Sequence, residues 1–283
     1  MIVRAVLSHI KPITYRERSA SMQWEKITAN DLVQVAKEEV CIIPIGSLEK
    51  HGEHLPMGID GLVTHKVALL AAKEEPVAVL PPLFYTYTKE MKNLPGAISI
   101  ETGLLLGFLE NLCDEVARNG FRKIILLNGH GGNNALLKVL LQQVCDKGKN
   151  YALYVPPIYL APEVIGKLKE TSETGHACEV ETSFALYLYP ELCKMDRVPE
   201  EFYTSRKDYD VSPAVTSVDW YASYPDAYVG DARKASVEKG KKMVEAQVER
   251  LVELIRKVKR DKRVLAKVKE FGEKAKASQS LSD

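Results

Sequence analysis

No CxxC pair occurs in this sequence. Its five cysteines (Cys41, Cys113, Cys145, Cys178, Cys193) are odd in number and widely spaced. That spacing argues against both a disulfide framework and a zinc ribbon. No apolar run approaches the roughly 20 residues that span a bilayer. Met1-Ile2-Val3-Arg4 does not open a signal peptide, because no apolar core with a small-residue cleavage site follows. A reduced, cytoplasmic protein with no membrane partner is expected. A surplus of one charge is also missing: the formal net charge is +1, so bulk electrostatics points to no partner. The charge is nonetheless uneven, with ten Lys/Arg against three Asp/Glu between Arg256 and Lys276. Val258, Leu265 and Val268 interleave with those charges as on a solvated or oligomer-facing helix, so no nucleic-acid partner is expected. Internal repeats, low-complexity linkers and a GxxxxGK[ST] phosphate loop are likewise absent.

The chain that remains has 283 residues, 46% of them hydrophobic and 27% charged, which suits one sizeable domain. Residues 1–21 read as a basic N-terminal extension, 22–270 as the domain and 271–283 as a C-terminal tail. The apolar runs at Val40–Ile45, Val77–Pro82, Phe121–Leu127 and Tyr151–Pro156 predict strands. Helical spacing predicts helices over Trp24–Glu39, capped at Thr28 or Asn30, and over Leu62–Lys73, Leu104–Asn119, Ala135–Lys147 and Asp231 to about Lys269. Another runs from the GHACEVETS segment through Leu188. Strands alternating with helices argue for an α/β fold, a three-layer sandwich around a mostly parallel sheet. In such sheets ligands bind outside the carboxyl ends of the strands.

Three polar clusters fall at such ends. The first follows Ile45 and holds Glu49, His51, Glu53, His54 and Asp60 among Leu55, Pro56 and Ile59. Charged groups on so apolar a loop need partners or a metal ion. Carboxylates with imidazole suit zinc, manganese or iron(II), and Asp60, at the far end of the loop, can bridge two ions. The second is Asn128-Gly129-His130-Gly131-Gly132-Asn133, where glycines let the backbone approach a ligand and the N–H groups at Gly131 and Gly132 can hold an oxyanion. The third is His176-Ala177-Cys178-Glu179-Val180-Glu181. Acids at a helix start have a dipole explanation. The histidine does not, and a histidine beside carboxylates can act as general acid or base. Four of the six histidines lie in these clusters, which makes three unrelated packing loops a poor account.

Together the motifs GSLEKHGEHLP…D, NGHGGN and GHACEVETS resemble those of the creatininase (creatinine amidohydrolase) family, over roughly residues 22 to 260. The resemblance implies a homo-oligomeric, often hexameric, metal-dependent amidohydrolase that cleaves an amide-type bond of a small molecule, a cyclic amide or formamide, with two divalent cations (Zn, Mn or Fe(II)). Hydrolysis of a C–C bond in a cyclic sugar-like ketone is the alternative. A non-catalytic metal-binding oligomer is the alternative from another class. Carried onto this chain, Glu49 and His130 hold one ion, His51 the other, and Asp60 bridges. Creatininase itself has a carboxylate where this chain has Gly132. Relatives with that glycine carry a glutamate in the third motif, which assigns Glu179 as the fifth ligand. His176 corresponds to the catalytic histidine, and Glu181 to an acid near it. Residues 171–174 lack the tryptophan that creatininase places near its substrate, so creatinine is not the first expectation.

Overall fold

The computed structural model describes residues 22–201 and 204–279. The expected N-terminal extension lies outside them. Four strands form one sheet, β1 (Val40–Ile45), β2 (Ala78–Val79), β3 (Lys123–Asn128) and β4 (Ala152–Tyr154), in the order β2-β1-β3-β4 with every neighbour parallel. The two central strands read as unbroken apolar runs because both of their faces are covered. Cys41, Ile43 and Ile45 join Ile124 and Leu126 in one core, whereas Val40 and Ile42 join Ile125 and Leu127 in the other. This alternation follows from the two-residue period of a strand.

Helices α3 (Thr102–Arg118) and α4 (Asn133–Asp146) bury the first core. Helices α2 (Ile59–Glu74), α6 (Glu179–Leu188) and α8 (Val237–Arg260) bury the second. The three-layer α/β sandwich expected from the sequence is therefore the observed architecture. Full burial of each central Ile or Leu contributes roughly 1.5–3 kcal/mol. Among the described residues no helix is long and apolar enough to cross a membrane.

Several local expectations shift. The strand expected over residues 77–82 pairs only at Ala78–Val79, since Pro81 and Pro82 have no N–H to donate to a ladder. The first expected helix is broken before Thr28, which caps α1 (Ala29–Val35) through a reciprocal pair with Asp31. The single C-terminal helix is two, α8 and α9 (Val264–Gln279). They are separated at Asp261, whose carboxylate accepts from the N–H groups of Arg263 and Val264. Residues 271–279, expected as a tail, are part of α9, which packs on α4. Two short helices were not foreseen, α5 (Pro162–Leu168) and α7 (Asp219–Ser223).

Register positions the chemistry. Val40 to Ile45 pair in step with Lys123 to Asn128, so Gly46 and Gly129 leave the sheet side by side. The N–H of Gly129 donates to the Ile45 carbonyl at 2.8 Å and that of Gly46 to the Leu83 carbonyl at 2.8 Å. Three loops thus open at one edge, after β1, β2 and β3.

Candidate metal centre

Residues 46–58 leave β1 and fold back, so that Asp60 stands in the first turn of α2 facing Glu49 and His51. Ser47 fixes Asp60 by donating to Oδ2 at 2.7 Å. Thr88, from the loop after β2, fixes Glu49 by donating to Oε2 at 2.6 Å. The asparagines of the second motif build its turn. Asn128 Nδ2 donates to the His130 carbonyl at 2.7 Å, and Asn133 Oδ1 accepts from the Tyr87 N–H at 3.2 Å.

Each of three imidazoles uses one ring nitrogen on a backbone carbonyl and turns the other inward. His51 Nδ1 is 3.2 Å from the Glu49 carbonyl, His130 Nε2 is 2.8 Å from that of Tyr87, and His176 Nε2 is 2.6 Å from that of Lys50. A carbonyl accepts only from N–H, so these contacts set the tautomers and leave the inner nitrogens with lone pairs in the neutral rings. Inside, His51 Nε2 is 3.0 Å from Asp60 Oδ1, and His130 Nδ1 is 2.9 Å from Glu49 Oε1 and 3.2 Å from Asp60 Oδ2. His176 Nδ1 stands 4.0 Å from Glu49 Oε1, its ring 4.0 Å from that of His51.

Glu49 is 1% exposed, and its Oε1 is sealed from solvent with no aligned hydrogen bond despite the nearby His130. A buried carboxylate oxygen left unsatisfied is costly. Three groups of inward atoms lie within 4.8 Å of one another: Glu49, His51 and His176; Glu49, Glu90 and His130; and His51, Asp60 and Glu181. Carboxylate oxygens and imidazole nitrogens at this spacing are a donor set for divalent zinc, manganese or iron. The residues present therefore fit a cation centre.

Without a cation, the carboxylates take their countercharge from protons. Burial alone would lower the His51 and His130 pKa values, but the Asp60 and Glu49 charges outweigh it, raising His51 to about 10 and His130 well above its usual value. Burial pushes Glu181 up to about 7, against the pull of His51. Burial and the His51 charge lower His176 to about 4, so its ring is neutral near pH 7.

The structure brings Glu49, His51, Asp60, His130, His176 and Glu181 together. It does not bring Glu179 with them, and the expectation placed on that residue is corrected. The fully buried Glu179 carboxylate accepts from the N–H groups of Glu170 and Thr171, the Thr171 hydroxyl, and Lys239 Nζ at 2.6 Å. Every lone pair has a partner away from the cluster. Glu181, two residues on, faces the centre, its Oε2 3.9 Å from His51 Nε2 and 2.6 Å from the Ala177 N–H that donates to it. Ala177 adopts φ 53°, a left-handed conformation costing about 1–2 kcal/mol for a residue with a Cβ. This kink turns the His176 ring and the Glu181 carboxylate toward the same cluster.

His54 Nε2 lies 2.9 Å from the Thr182 hydroxyl, and Glu53 pairs with Lys50 on the surface, so both serve the loop. A cavity of about 440 Å³ opens over the cluster, lined in part by Gly131, Gly132, His176 and Glu181. Thr88, Glu90 and Trp220 also belong to this site. From the sequence, the aromatic and charged residues 84–95 read as a loop near the site and, with the region near Trp220, as pocket wall, but no role for any one of the three side chains could be read.

Comparison with known proteins gives a consistent result. The family model for creatininase, described as creatinine amidohydrolase, matches residues 20–255. The creatinine amidohydrolase of Pseudomonas putida is 30% identical over 77% of this chain and 88% of its own length. The 3-dehydro-scyllo-inosose hydrolase of Thermotoga maritima is 28% identical over 86% of this chain and 85% of its own. A Zn-Zn form of a creatininase mutant and a manganese form of creatininase both superpose with TM-score 0.72. At 28% and 27% identity, each covers 84% of this chain and 98% of its own.

Proposed function

Because the chain belongs to the creatininase family, we propose that it is a two-metal hydrolase cleaving an amide-type bond of a small molecule. The buried Oε1 of Glu49, without an aligned hydrogen bond among three inward-turned imidazoles, carries this reading. Glu49 and His130 would hold one divalent cation and His51 and Glu181 the other, with Asp60, beside both His51 and His130, available to either. Bound there, the cations supply Lewis acidity toward a carbonyl and acidify water.

The chain's own groups do the remaining work. Ser47 and Thr88 hold the carboxylates against rotation. His176, tied at Nε2 to the Lys50 carbonyl, keeps Nδ1 free to accept a proton and pass it to the leaving group. The N–H groups at Gly131 and Gly132 border the cavity where a carbonyl oxygen gathers charge. The similarity to an inosose hydrolase over most of the chain favours a second reading, hydrolysis of a C–C bond in a cyclic sugar-like ketone. The same groups can serve it, with His176 delivering its proton to carbon. Homo-oligomeric assembly and a cytoplasmic location complete the proposal.

The test is a substitution series with metal content and turnover measured together, on creatinine, a formamide and a polyhydroxylated cyclic ketone. Glu49→Ala, Asp60→Ala and His130→Ala are expected to lose metal and activity jointly. His176→Ala is expected to keep metal and lose turnover by about 10²–10⁴-fold. Full activity at wild-type metal content in any of the first three would overturn the ligand set.

A further inference from the structure

Resting on that hydrolase reading, we propose that Glu90 is the specificity-determining residue of this cavity. It would select a small ring bearing adjacent hydrogen-bond donors, hydroxyl or amidine N–H, and reject a phosphorylated one.

The placement begins in the loop after β2. A single 3-10 turn, Lys89–Met91, buries Met91 at 1% exposure and so turns Glu90 into the cavity wall. Its Oε1 stands 3.6 Å from His130 Nε2. That nitrogen already gives its proton to the Tyr87 carbonyl and lies on the ring edge opposite Nδ1, which faces Glu49 and Asp60. Glu90 therefore stands on the Nε2 side of His130, at the margin of the cation centre and still within 4.8 Å of donor atoms of Glu49 and His130. Gly132 makes the room: a Cβ there would run into Glu90 Oε1 and His130 Nε2 and lie 2.9 Å from the Tyr87 carbonyl. Of the four carboxylates lining the cavity, Glu49, Asp60 and Glu181 are held toward the cation centre by Thr88, Ser47 and the Ala177 N–H. Glu90, at the margin of the centre and with its side chain 22% exposed, is the one open to a substrate.

The adjoining helix supplies an aromatic wall. Trp220 stands edge-on to His176 with ring centroids 5.7 Å apart, and its Nε1 is sealed from solvent without a partner. Its short helix α7 packs on the Lys89–Met91 turn, so Glu90 and the Trp220 ring stand on two elements that meet beside the cavity. No Lys or Arg lines it among the described residues. Lys89, the nearest basic candidate in sequence, lies over the Tyr87 ring at 5.6 Å. A carboxylate in a partly buried wall must accept hydrogen bonds to offset its desolvation, and it repels an incoming anion. Adjacent O–H or N–H groups on a ring satisfy the first condition, and a phosphate violates the second.

The test measures calorimetric binding of myo-inositol, creatinine and myo-inositol 1-phosphate to the metal-loaded protein, with metal content determined for each variant. Wild type is expected to bind myo-inositol or creatinine, and which of the two binds separates hydroxyl from amidine recognition. It should bind the phosphate at least about tenfold more weakly than myo-inositol. Glu90→Ala should weaken the donor-bearing ring by about tenfold or more with unchanged metal content. Glu90→Gln, which keeps an acceptor without the charge, should retain the ring and narrow the discrimination against phosphate. Wild-type binding by Glu90→Ala, equal binding of the phosphate, failure of both rings to bind, or loss of a cation in Glu90→Ala would each overturn the assignment. Turnover is assayed separately on creatinine, a formamide and a polyhydroxylated cyclic ketone. Ring binding with hydrolysis of none of these at full metal loading would sink the hydrolase reading instead and leave Glu90 as a recognition residue.

Discussion

Glu179 and Glu181 show what sequence can and cannot decide about a single side chain. Both acids sit in the first turn of α6, and both have a dipole reason to be there. Which one faces the cluster is decided by Lys239, 58 positions beyond Glu181 in the chain, because its ammonium draws Glu179 to the opposite side. Nothing in the spacing of the motif carries that information. Glu181→Ala is accordingly expected to lower bound metal from two ions toward one, whereas Glu179→Gln should keep both and lose stability through Lys239. Metal analysis of the two proteins separates the cases, and the reverse pattern would restore Glu179 as ligand. Protonation gives a second expectation. His51 and His130 have raised pKa values in the cation-free centre and hold protons at pH 7. A cation must displace those protons, so binding releases them, and affinity rises with pH through neutrality. Zinc titrations in two buffers of different ionisation enthalpy count the protons. Uptake of protons, or affinity independent of pH between 6 and 8, would contradict the arrangement.

At the scale of elements, the strands β1 and β3 were legible because a buried parallel strand leaves a simple trace, an apolar run (Val40–Ile45 and residues 124–127) with a glycine one or two residues beyond it. The helices α3 and α4 were legible within two residues at each end from their 3.6-residue spacing. The loop after β2 was not. Thr88 and Glu90 occupy no periodic pattern, and their place depends on Met91 anchoring a single turn. Helix pairing was equally hidden. The sequence marks Gly240 only as a weak helix former, yet a Cβ there would run into the backbone carbonyl of Ser183, so α8 crosses α6 at the closest approach two backbones allow. This crossing also places Lys239 against Glu179. Gly240→Ala is therefore expected to destabilise the protein by about 1–3 kcal/mol, the range for an overpacked core, although alanine favours an isolated helix by up to about 1 kcal/mol. Urea denaturation decides between the two effects, and a stabilised variant would mean that the crossing relaxes at little cost.

For the molecule as a whole, the sheet and the centre place opposite demands on one edge. The two cores bury the sheet on both faces and set the register rigidly. The loops beyond it gather Glu49, Asp60, Glu181, His51, His130 and His176 in largely buried positions. Folding without a cation brings three carboxylates together and holds them only by raising the affinity of neighbouring groups for protons. A cation relieves that opposition in the folded state alone, because loops from residues 46–60, 84–101, 128–133 and 175–181 converge only when the sheet has formed. Binding to the native state and not to the unfolded chain adds about 2.7 kcal/mol at a ligand concentration 100 times the dissociation constant. In a protein of this size about 1 kcal/mol corresponds to roughly 2–4 °C in Tm. Chelation is thus expected to lower Tm by about 5–10 °C, and zinc or manganese should restore it in the wild type but not in Asp60→Ala, which lacks the carboxylate shared by both positions. A Tm indifferent to chelation, at proven metal loss, would mean that the fold holds the centre preformed at no cost. In that case the Glu49 oxygen without an aligned hydrogen bond would need another explanation.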